Sequence, residues 1–222
     1  MKILPFHAAR GCLSYLVIDP DSNEAALIDP SEEIADETYI TALKESGMRL
    51  RYIIETHTHA DHVSSAHSLM KKTSARIVRH ALAPSPVKDV AVTGGEELPL
   101  GKRTLYILAT PGHTNESISI VSDGAVFTGD VLLRGGTGRT DLQGGDSEAM
   151  YHSLHESLGG LPDTTVVYPA HDYRDGISST IGEQKRLNPR FVLPHDAFVQ
   201  TMNAHHPPLP DLFDEAIVAN SR

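Results

Sequence analysis

The feature that most constrains this chain is a group of four metal-binding side chains within six residues: His57, His59, Asp61 and His62. They follow a short apolar segment at 52–54, which reads as a buried strand, and precede a predicted helix over 64–73. Imidazole nitrogens and carboxylate oxygens suit zinc, iron or manganese. A loop at the end of a strand directs alternate side chains toward one point, so we predict a metal site here. The alternative is a solvated polar loop in which Asp61 partly caps the helix.

Three further candidate ligands occupy equivalent places along the chain. His113 follows the predicted strand 105–108 in a turn built by Pro111 and Gly112, Asp130 ends a strand over 125–128, and His171 ends a strand that begins at Val166. Each of these residues alone would be an ordinary polar turn residue. Their repeated position at strand ends indicates that one edge of the sheets gathers them all. The other histidines lie outside these motifs, and we interpret most of them as surface or packing residues: His7, His67, His80, His152, His155, His195, His205 and His206.

Apolar periodicity predicts a mixed α/β fold with strands in both halves of the chain. Predicted hairpin strands at 13–18 and 25–28 are separated by turn formers, and helices are expected over 33–48, 147–158 and 177–187. Further strands are expected at 77–78 and 117–121. This order suits two packed sheets flanked by helices, although an open α/β sheet would also fit. The proline-rich segment 205–210 is predicted to be an extended tail, and residues 1–222 to form one domain.

Composition excludes several classes of protein. Nineteen basic and 29 acidic residues give a net charge of −10, opposite to the basic surface that nucleic acid binding requires. No stretch approaches the roughly 20 apolar residues of a membrane span, and the first residues lack a secretory pattern. The single cysteine, Cys12, cannot form an internal disulfide and is interpreted as a packing residue. We therefore expect a cytoplasmic protein without nucleic acid or membrane partners.

The order and local sequence of the four motifs, from His57 to His171, resemble the metallo-β-lactamase superfamily. This resemblance implies an αββα sandwich with the metal at one edge of the paired sheets. The segment 135–143, which contains Gly138-Arg139-Thr140-Asp141, is similar to the persulfide dioxygenase family within it. The segments 169–173 and 187–190 look like the same family. Thr137 departs from that pattern, because animal members resemble one another in carrying a cysteine there.

The resemblance implies a mononuclear iron site. His57, His113 and Asp130 would hold one Fe(II), leaving three positions for water, dioxygen and substrate. His59, Asp61, His62 and His171 would then orient these ligands instead of building a second metal site. The expected reaction oxidises a low-molecular-weight persulfide, such as glutathione persulfide, with O2 to sulfite and thiol, without an organic cofactor.

Two residues near the expected mouth of the site are candidates for contacting the substrate. Arg139 has a cationic fork suited to a substrate carboxylate, and the alternative is a salt bridge to Asp141. Tyr173 is the other candidate, with a packing role as its alternative. The sequence does not distinguish among the anionic thiols that could carry the persulfide.

Two other functions fit the same ligand inventory. The first is a dinuclear Zn(II) thioester hydrolase resembling glyoxalase II (hydroxyacylglutathione hydrolase), in which His59, Asp61, His62 and His171 would help to bind the second metal. Hydrolases of that type add a helical C-terminal domain, and the residues after His171 accommodate a helix and a short tail. The second is a non-catalytic metal-binding or scaffold protein that uses the same fold. A homodimer is the default expectation for the oligomeric state.

Overall fold

The computed structural model describes residues 1–172 and 176–222, and its first half forms a six-stranded sheet. The first three strands pair antiparallel and the last four pair parallel. Parallel neighbours require crossover connections, and helices α1 and α2 provide two of them. In chain order the elements are β1 (Lys2–His7), β2 (Leu13–Ile18), β3 (Glu24–Ile28), α1 (Asp36–Glu45), β4 (Arg49–Ile54), α2 (Ala66–Thr73), β5 (Arg76–His80) and β6 (Val90–Val92).

The second half forms another six-stranded sheet and carries the remaining helices. Its strands also lie side by side in chain order, and the pair β10 and β11 is parallel. The crossover between these two strands contains α3, which continues into a π-helical segment, Ser153–Leu158. The elements are β7 (Glu97–Leu100), β8 (Arg103–Ala109), β9 (Ile118–Ser122), β10 (Ala125–Gly129), α3 (Ser147–His152), β11 (Val166–Pro169), β12 (Ser179–Thr180), α4 (Ile181–Leu187), α5 (His195–Asn203) and α6 (Phe213–Asn220).

Three apolar clusters show how these layers pack. The cluster between the sheets joins side chains of both, including Tyr15, Ile54 and Phe127. A second cluster covers the outer face of the first sheet with Leu43 of α1 and Leu69 of α2, among others. A third covers the outer face of the second sheet with residues of α3, α4 and α5. Both sheets are therefore buried on both faces, and the predicted αββα sandwich is confirmed.

The structure differs from the sequence prediction mainly at edges and near the C-terminus. The edge strand β1 was not predicted; it accommodates Pro5 because an edge strand has one side without ladder hydrogen bonds. The helix expected over 177–187 begins at Ile181, because Thr180 caps it in a reciprocal box with Glu183. Residues 205–210 lack regular structure as expected, but they join two helices, α5 and α6, instead of forming a tail.

No helix in the described part of the chain is long and apolar enough to cross a bilayer. The single-domain organisation stays a prediction.

Candidate metal centre

The four predicted motifs lie at the ends of strands β4, β8, β10 and β11, at one edge of the sandwich. Backbone hydrogen bonds connect these ends across the two sheets. The amide of Ile118 donates to the carbonyl of Thr56 at 2.8 Å. The amide of Leu13 donates to the carbonyl of Ala170 at 2.7 Å. Ala170 in turn donates to the carbonyl of Gly129 at 2.9 Å. The fold therefore brings together side chains from distant parts of the sequence.

His57, His113 and Asp130 form a buried cluster with one potential ligand atom each, and these atoms lie within 4.8 Å of one another. His113 Nε2 lies 3.7 Å from Asp130 Oδ2. The rings of His57 and His113 are perpendicular, with centroids 4.8 Å apart. We name these three residues the His–His–Asp cluster.

Hydrogen bonds on the far side of each ring leave Nε2 as the ligand atom. His113 Nδ1 lies 2.8 Å from the carbonyl of Arg139, which can only accept, so Nδ1 carries the proton. His57 Nδ1 lies 3.0 Å from Thr56 Oγ1, whose own proton is donated to Asp29 Oδ2 at 2.8 Å. The hydroxyl must therefore accept from His57 Nδ1. Such contacts orient metal-binding histidines and set their tautomer.

The protonation states of His57 and Asp130 also favour binding of a metal cation. Burial, together with the neighbouring His59 and His113, holds the pKa of His57 well below its usual value. Burial would raise the pKa of Asp130, but the charge and hydrogen bond of His171 and the charges of His113 and His57 lower it. A neutral imidazole and an ionised carboxylate are the forms that ligate metals. The His–His–Asp cluster thus fits a divalent metal ion.

A second cluster adjoins the first and contains Cys12, Asp61, His62 and His171, again with ligand atoms within 4.8 Å of one another. Asp61 Oδ2 is its centre, at 3.2 Å from Cys12 Sγ, 3.1 Å from His62 Nδ1 and 2.8 Å from His171 Nε2. The other nitrogen of His171, Nδ1, lies 2.6 Å from Asp130 Oδ1. His171 therefore links the two clusters.

Charge within the second cluster is balanced by its histidines. Burial alone would lower the pKa of His62, but hydrogen bonds with Asp61 and Cys12 raise it to about 10. Burial also opposes the charged form of His171, while Asp130 and Asp61 raise its pKa well above the usual value. Two imidazoles thus compensate the charges of Asp61 and Asp130.

Of the seven ligand candidates, His59 alone lies outside both clusters described in the structure. It is fully buried, with Nε2 3.3 Å from Asp29 Oδ1 and 3.8 Å from Glu55 Oε2. Its ring stacks at an angle against His57, with centroids 4.2 Å apart. The residues of the segment 57–62 are therefore divided between the two clusters, with His57 in one and Asp61 and His62 in the other.

The expected contact of Arg139 with a substrate carboxylate stays a prediction, and in the structure the side chain is paired within the protein. Its Nε and Nη2 donate to the two carboxylate oxygens of Asp141 at 2.6 and 2.8 Å, and Nη1 donates to the carbonyl of Pro208 at 2.8 Å. The hydrogen bond from Arg139 lowers the pKa of Asp141 to about 2. The side chain thus forms the alternative salt bridge, while its backbone carbonyl holds His113. The other expected substrate residue, Tyr173, lies outside the described residues.

An open cavity of about 380 Å³ leads to the His–His–Asp cluster, a size suited to a small-molecule ligand. His113, Asp130 and His171 are among the residues that line it. Leucine and proline side chains supply much of the remaining wall, and Thr137 also faces this cavity. The lining residues are Ala60, Asp61, His113, Asp130, Leu133, Thr137, Gly138, Arg139, Leu142, Gln143, His171, His205, Pro207, Pro208 and Pro210.

Two supporting contacts were missed by the sequence analysis. Asn220, near the C-terminus, donates through Nδ2 to the carbonyls of His59 and His62 at 2.9 Å each and accepts from the amide of Ser64. Cys12, interpreted as a packing residue, is buried as expected but also contacts Asp61. Neither residue belongs to a local motif, so no short-range signal in the sequence could have identified these roles.

Comparison with known proteins places this arrangement in a family. The sequence profile of the Metallo-beta-lactamase superfamily matches residues 8–171. The human "Persulfide dioxygenase ETHE1, mitochondrial" is 39% identical over 222 aligned positions, covering 98% of this chain and 86% of the human protein. The chain belongs to the persulfide dioxygenase family of this superfamily. The predicted family is thereby confirmed.

Solved structures agree with this relationship. The crystal structure of ETHE1 from Myxococcus xanthus superposes with a TM-score of 0.95 and 37% identity, covering 100% of this chain and 98% of that one. A hydroxyacylglutathione hydrolase from a Polaromonas species is 36% identical over 166 residues, covering 72% of this chain and 62% of the hydrolase. The alignment with the human persulfide dioxygenase thus covers more of this chain than the alignment with this hydrolase does.

Proposed function

We propose that this protein is a mononuclear iron dioxygenase that oxidises a low-molecular-weight persulfide, such as glutathione persulfide, to sulfite and thiol. The observation that carries the proposal is the His–His–Asp cluster, two members of which line an open cavity, in a chain related over nearly its whole length to the human persulfide dioxygenase. Two imidazoles and one carboxylate are the usual ligands of non-haem iron that reacts with oxygen.

The proposed reaction balances with one added water. The persulfide RSSH, O2 and H2O give RSH, sulfite and two protons, as the S–S bond breaks and the terminal sulfur leaves as sulfite. The persulfide as a whole loses four electrons, because the terminal sulfur loses five and the inner sulfur gains one on S–S cleavage, and dioxygen gains four. Both oxygen atoms of O2 pass to that sulfur, and water supplies the third. When bound, Fe(II) supplies the one-electron chemistry that lets dioxygen react with sulfur.

The residues of this chain prepare the site for that reaction. His57, His113 and Asp130 would hold the iron, and the hydrogen bonds that the two rings donate to the Thr56 hydroxyl and to the Arg139 carbonyl keep them oriented. The apolar side chains around the cavity, including Leu133 and Leu142, limit water and suit a polarisable sulfur chain. The Arg139 side chain acts in this proposal by anchoring the cavity wall to Asp141 and Pro208.

One metal per chain is the arrangement that the resemblance to the persulfide dioxygenase family implies. His171 contacts Asp130 through Nδ1 and Asp61 through Nε2, and His59 Nε2 lies 3.3 Å from Asp29 Oδ1. A dinuclear zinc hydrolase would require these side chains to be redeployed as ligands. In the proposed enzyme they position Asp130 and balance charge.

Oxygen consumption tests the proposed reaction directly. We expect the Fe(II)-loaded protein to consume O2 on addition of glutathione persulfide and to form about one sulfite per O2, as the balanced equation requires. Zinc-loaded protein is the control, because zinc lacks redox chemistry. Absence of uptake, together with hydrolysis of S-lactoylglutathione by a protein holding about two zinc ions, would identify the hydrolase instead. Failure to retain any metal would favour the non-catalytic alternative.

Ligand substitutions test the assignment of the metal site. His57→Ala, His113→Ala and Asp130→Ala should each weaken iron binding more than about 100-fold, beyond the 10- to 100-fold typical of losing a supporting hydrogen bond. His59→Ala is the matched control from the same motif and should retain most of the iron. Iron per chain, measured after gel filtration, distinguishes these results. Equal loss from all four variants would contradict the assignment.

The cellular setting is also a proposal. The human relative is named as mitochondrial, whereas the single cysteine of this chain led us to expect a reducing compartment, the cytoplasm. Fractionation of cells that express the untagged protein would decide between the compartments. A homodimer, the default expectation, is checked by light scattering.

A further inference from the structure

A third group of metal-binding side chains lies on the helices that cover the second sheet. Glu148, His152 and His195 each offer one ligand atom, and these atoms lie within 4.8 Å of one another. His152 and Glu148 are exposed and His195 is partly exposed. The proposed dioxygenase reaction uses none of them, and the sequence analysis treated both histidines as surface or packing residues. We name this group the α3–α5 cluster.

The α3–α5 cluster lies on two helices that pack against each other. Glu148 and His152 are four residues apart on α3 and therefore share one face of the helix. His195 is the first residue of α5, which packs against α3 through the hydrogen bond from Ser147 Oγ to Asn203 Oδ1 at 2.7 Å. The rings of Tyr151 and Phe198, 5.6 Å apart, add an apolar contact between the two helices. The ligand atoms thus approach one another because two packed helices hold them.

Carboxylates already hold the outer nitrogen of each ring. His152 Nδ1 lies 2.8 Å from Glu156 Oε1, and His195 Nδ1 lies 2.9 Å from Asp196 Oδ1. Nε2 is therefore the remaining ligand atom of each ring, and that of His195 lies 2.5 Å from Glu148 Oε2. A carboxylate on the far nitrogen is the arrangement that orients histidines in zinc sites and increases their basicity. An ion pair between His195 and Glu148 requires only those two residues. It does not account for His152 beside them or for the contact of His152 with Glu156.

We propose that Glu148, His152 and His195 form a second, surface metal site that binds a divalent zinc-like ion and links α3 to α5. Two imidazoles and one carboxylate supply three protein ligands, and the exposure of the site leaves room for water as the fourth. Imidazole favours zinc, copper and nickel over magnesium or calcium, which prefer oxygen ligands. The site is separate from the His–His–Asp cluster, because the two share no residue.

Occupation of this site has a consequence for the proposed substrate cavity. Helix α5 leads into residues 205–210, and His205, Pro207, Pro208 and Pro210 line that cavity. An ion bound by both α3 and α5 would restrain the first turn of α5, which begins the segment from His195 to residue 210. We therefore expect zinc to slow amide hydrogen exchange in α5 most strongly, with a smaller effect toward residue 210.

The decisive experiment titrates zinc into the iron-loaded protein under anaerobic conditions and measures both metals per chain after gel filtration. The expected result is about one zinc per chain with the iron retained. His152→Ala and His195→Ala should each weaken zinc binding by about tenfold or more. Glu148→Gln, which keeps the shape of the side chain, tests the third ligand without removing a ring. His7→Ala, which removes another exposed histidine, should leave zinc binding unchanged.

Two results would overturn this proposal. The first is zinc uptake that is absent or occurs only as iron is displaced, since it would place the zinc in the His–His–Asp cluster. The second is equal binding by wild type and the three cluster variants. Copper(II) provides an independent readout, because its electron paramagnetic resonance spectrum should show coupling to two imidazole nitrogens in wild type and to one after either histidine is replaced. Unchanged circular dichroism spectra will show that the variants remain folded.

Discussion

At the residue scale, the proposed metal centre includes a glycine that lies against two of the candidate ligands. A Cβ atom placed on Gly138 would lie 2.6 Å from the carbonyl oxygen of Asp130 and 2.7 Å from His113 Nδ1. The same backbone position donates a hydrogen bond from the Gly138 amide to the Asp130 carbonyl at 2.7 Å. The loop that contains Arg139 can therefore close over the two ligands because residue 138 has no side chain.

Gly138→Ala should accordingly displace His113 or the Asp130 backbone. We expect iron affinity to fall by about tenfold or more, the effect of disturbing a group that orients a ligand. Gly136→Ala is the matched control in the same loop, because a Cβ atom there meets nothing within 4 Å. Iron per chain and dioxygenase activity measure the difference. If both variants retain iron equally, the close approach at Gly138 does not support the site.

At the scale of elements, the metal-binding loop after β4 is held by the end of the last helix. Asn220, the final residue of α6, is buried and satisfies three backbone groups of the loop, the carbonyls of His59 and His62 and the amide of Ser64. Buried backbone groups that lose their partners are costly, commonly about 1–3 kcal/mol each. Helix α6 thus stabilises a loop that is distant from it in sequence.

We expect Asn220→Ala to lower the free energy of unfolding by about 2–4 kcal/mol, because several of these groups lose their partner together. Ser221→Ala, one position along, removes a hydroxyl without touching the loop and should change stability by less than about 0.5 kcal/mol. Urea denaturation of the two variants beside wild type provides the measurement. Equal stability of both variants would show that α6 does not hold the loop.

At the scale of the whole molecule, charged groups connect the two halves at the hairpin turns. Asp19 follows β2 in the first sheet and accepts a hydrogen bond from the amide of Lys102, between β7 and β8, at 2.8 Å. It also accepts from Nε of Arg103 at 3.2 Å and from the amide of Asp21 at 3.1 Å. Burial would raise the pKa of Asp19, but these hydrogen bonds lower it from 3.8 to about 2.

This pKa predicts how the contribution of Asp19 to stability changes with pH. Because the carboxyl is more acidic in the folded than in the unfolded chain, its contribution is fully present above about pH 4 and is lost as the pH falls toward 2. Asp19→Asn should therefore be less stable than wild type by about 2 kcal/mol at pH 7. The difference should become smaller at pH 3, as measured by urea denaturation at both values.

Asp21→Asn is the control for Asp19, because the Asp21 side chain is more than half exposed although it also pairs with Arg103. Exposed ion pairs contribute little, so this variant should differ from wild type by less than about 1 kcal/mol. A stability difference for Asp19→Asn that stays constant from pH 7 to pH 3 would contradict the proposed role of its charge.

Local patterns in the sequence predicted a mixed α/β fold and the strand ends that carry the candidate ligands, because such patterns depend on neighbouring residues only. The resemblance of its motifs to a known family implied the αββα sandwich and His57, His113 and Asp130 as the candidate iron ligands. Tertiary structure decided which of the remaining candidates lie together, separating His59 from Asp61, His62 and His171. It also decided that Arg139 pairs with Asp141, that Cys12 contacts Asp61, and that Asn220 forms hydrogen bonds with the loop after β4. Most of these contacts join residues far apart in sequence, and which of several polar partners a side chain meets is determined by packing.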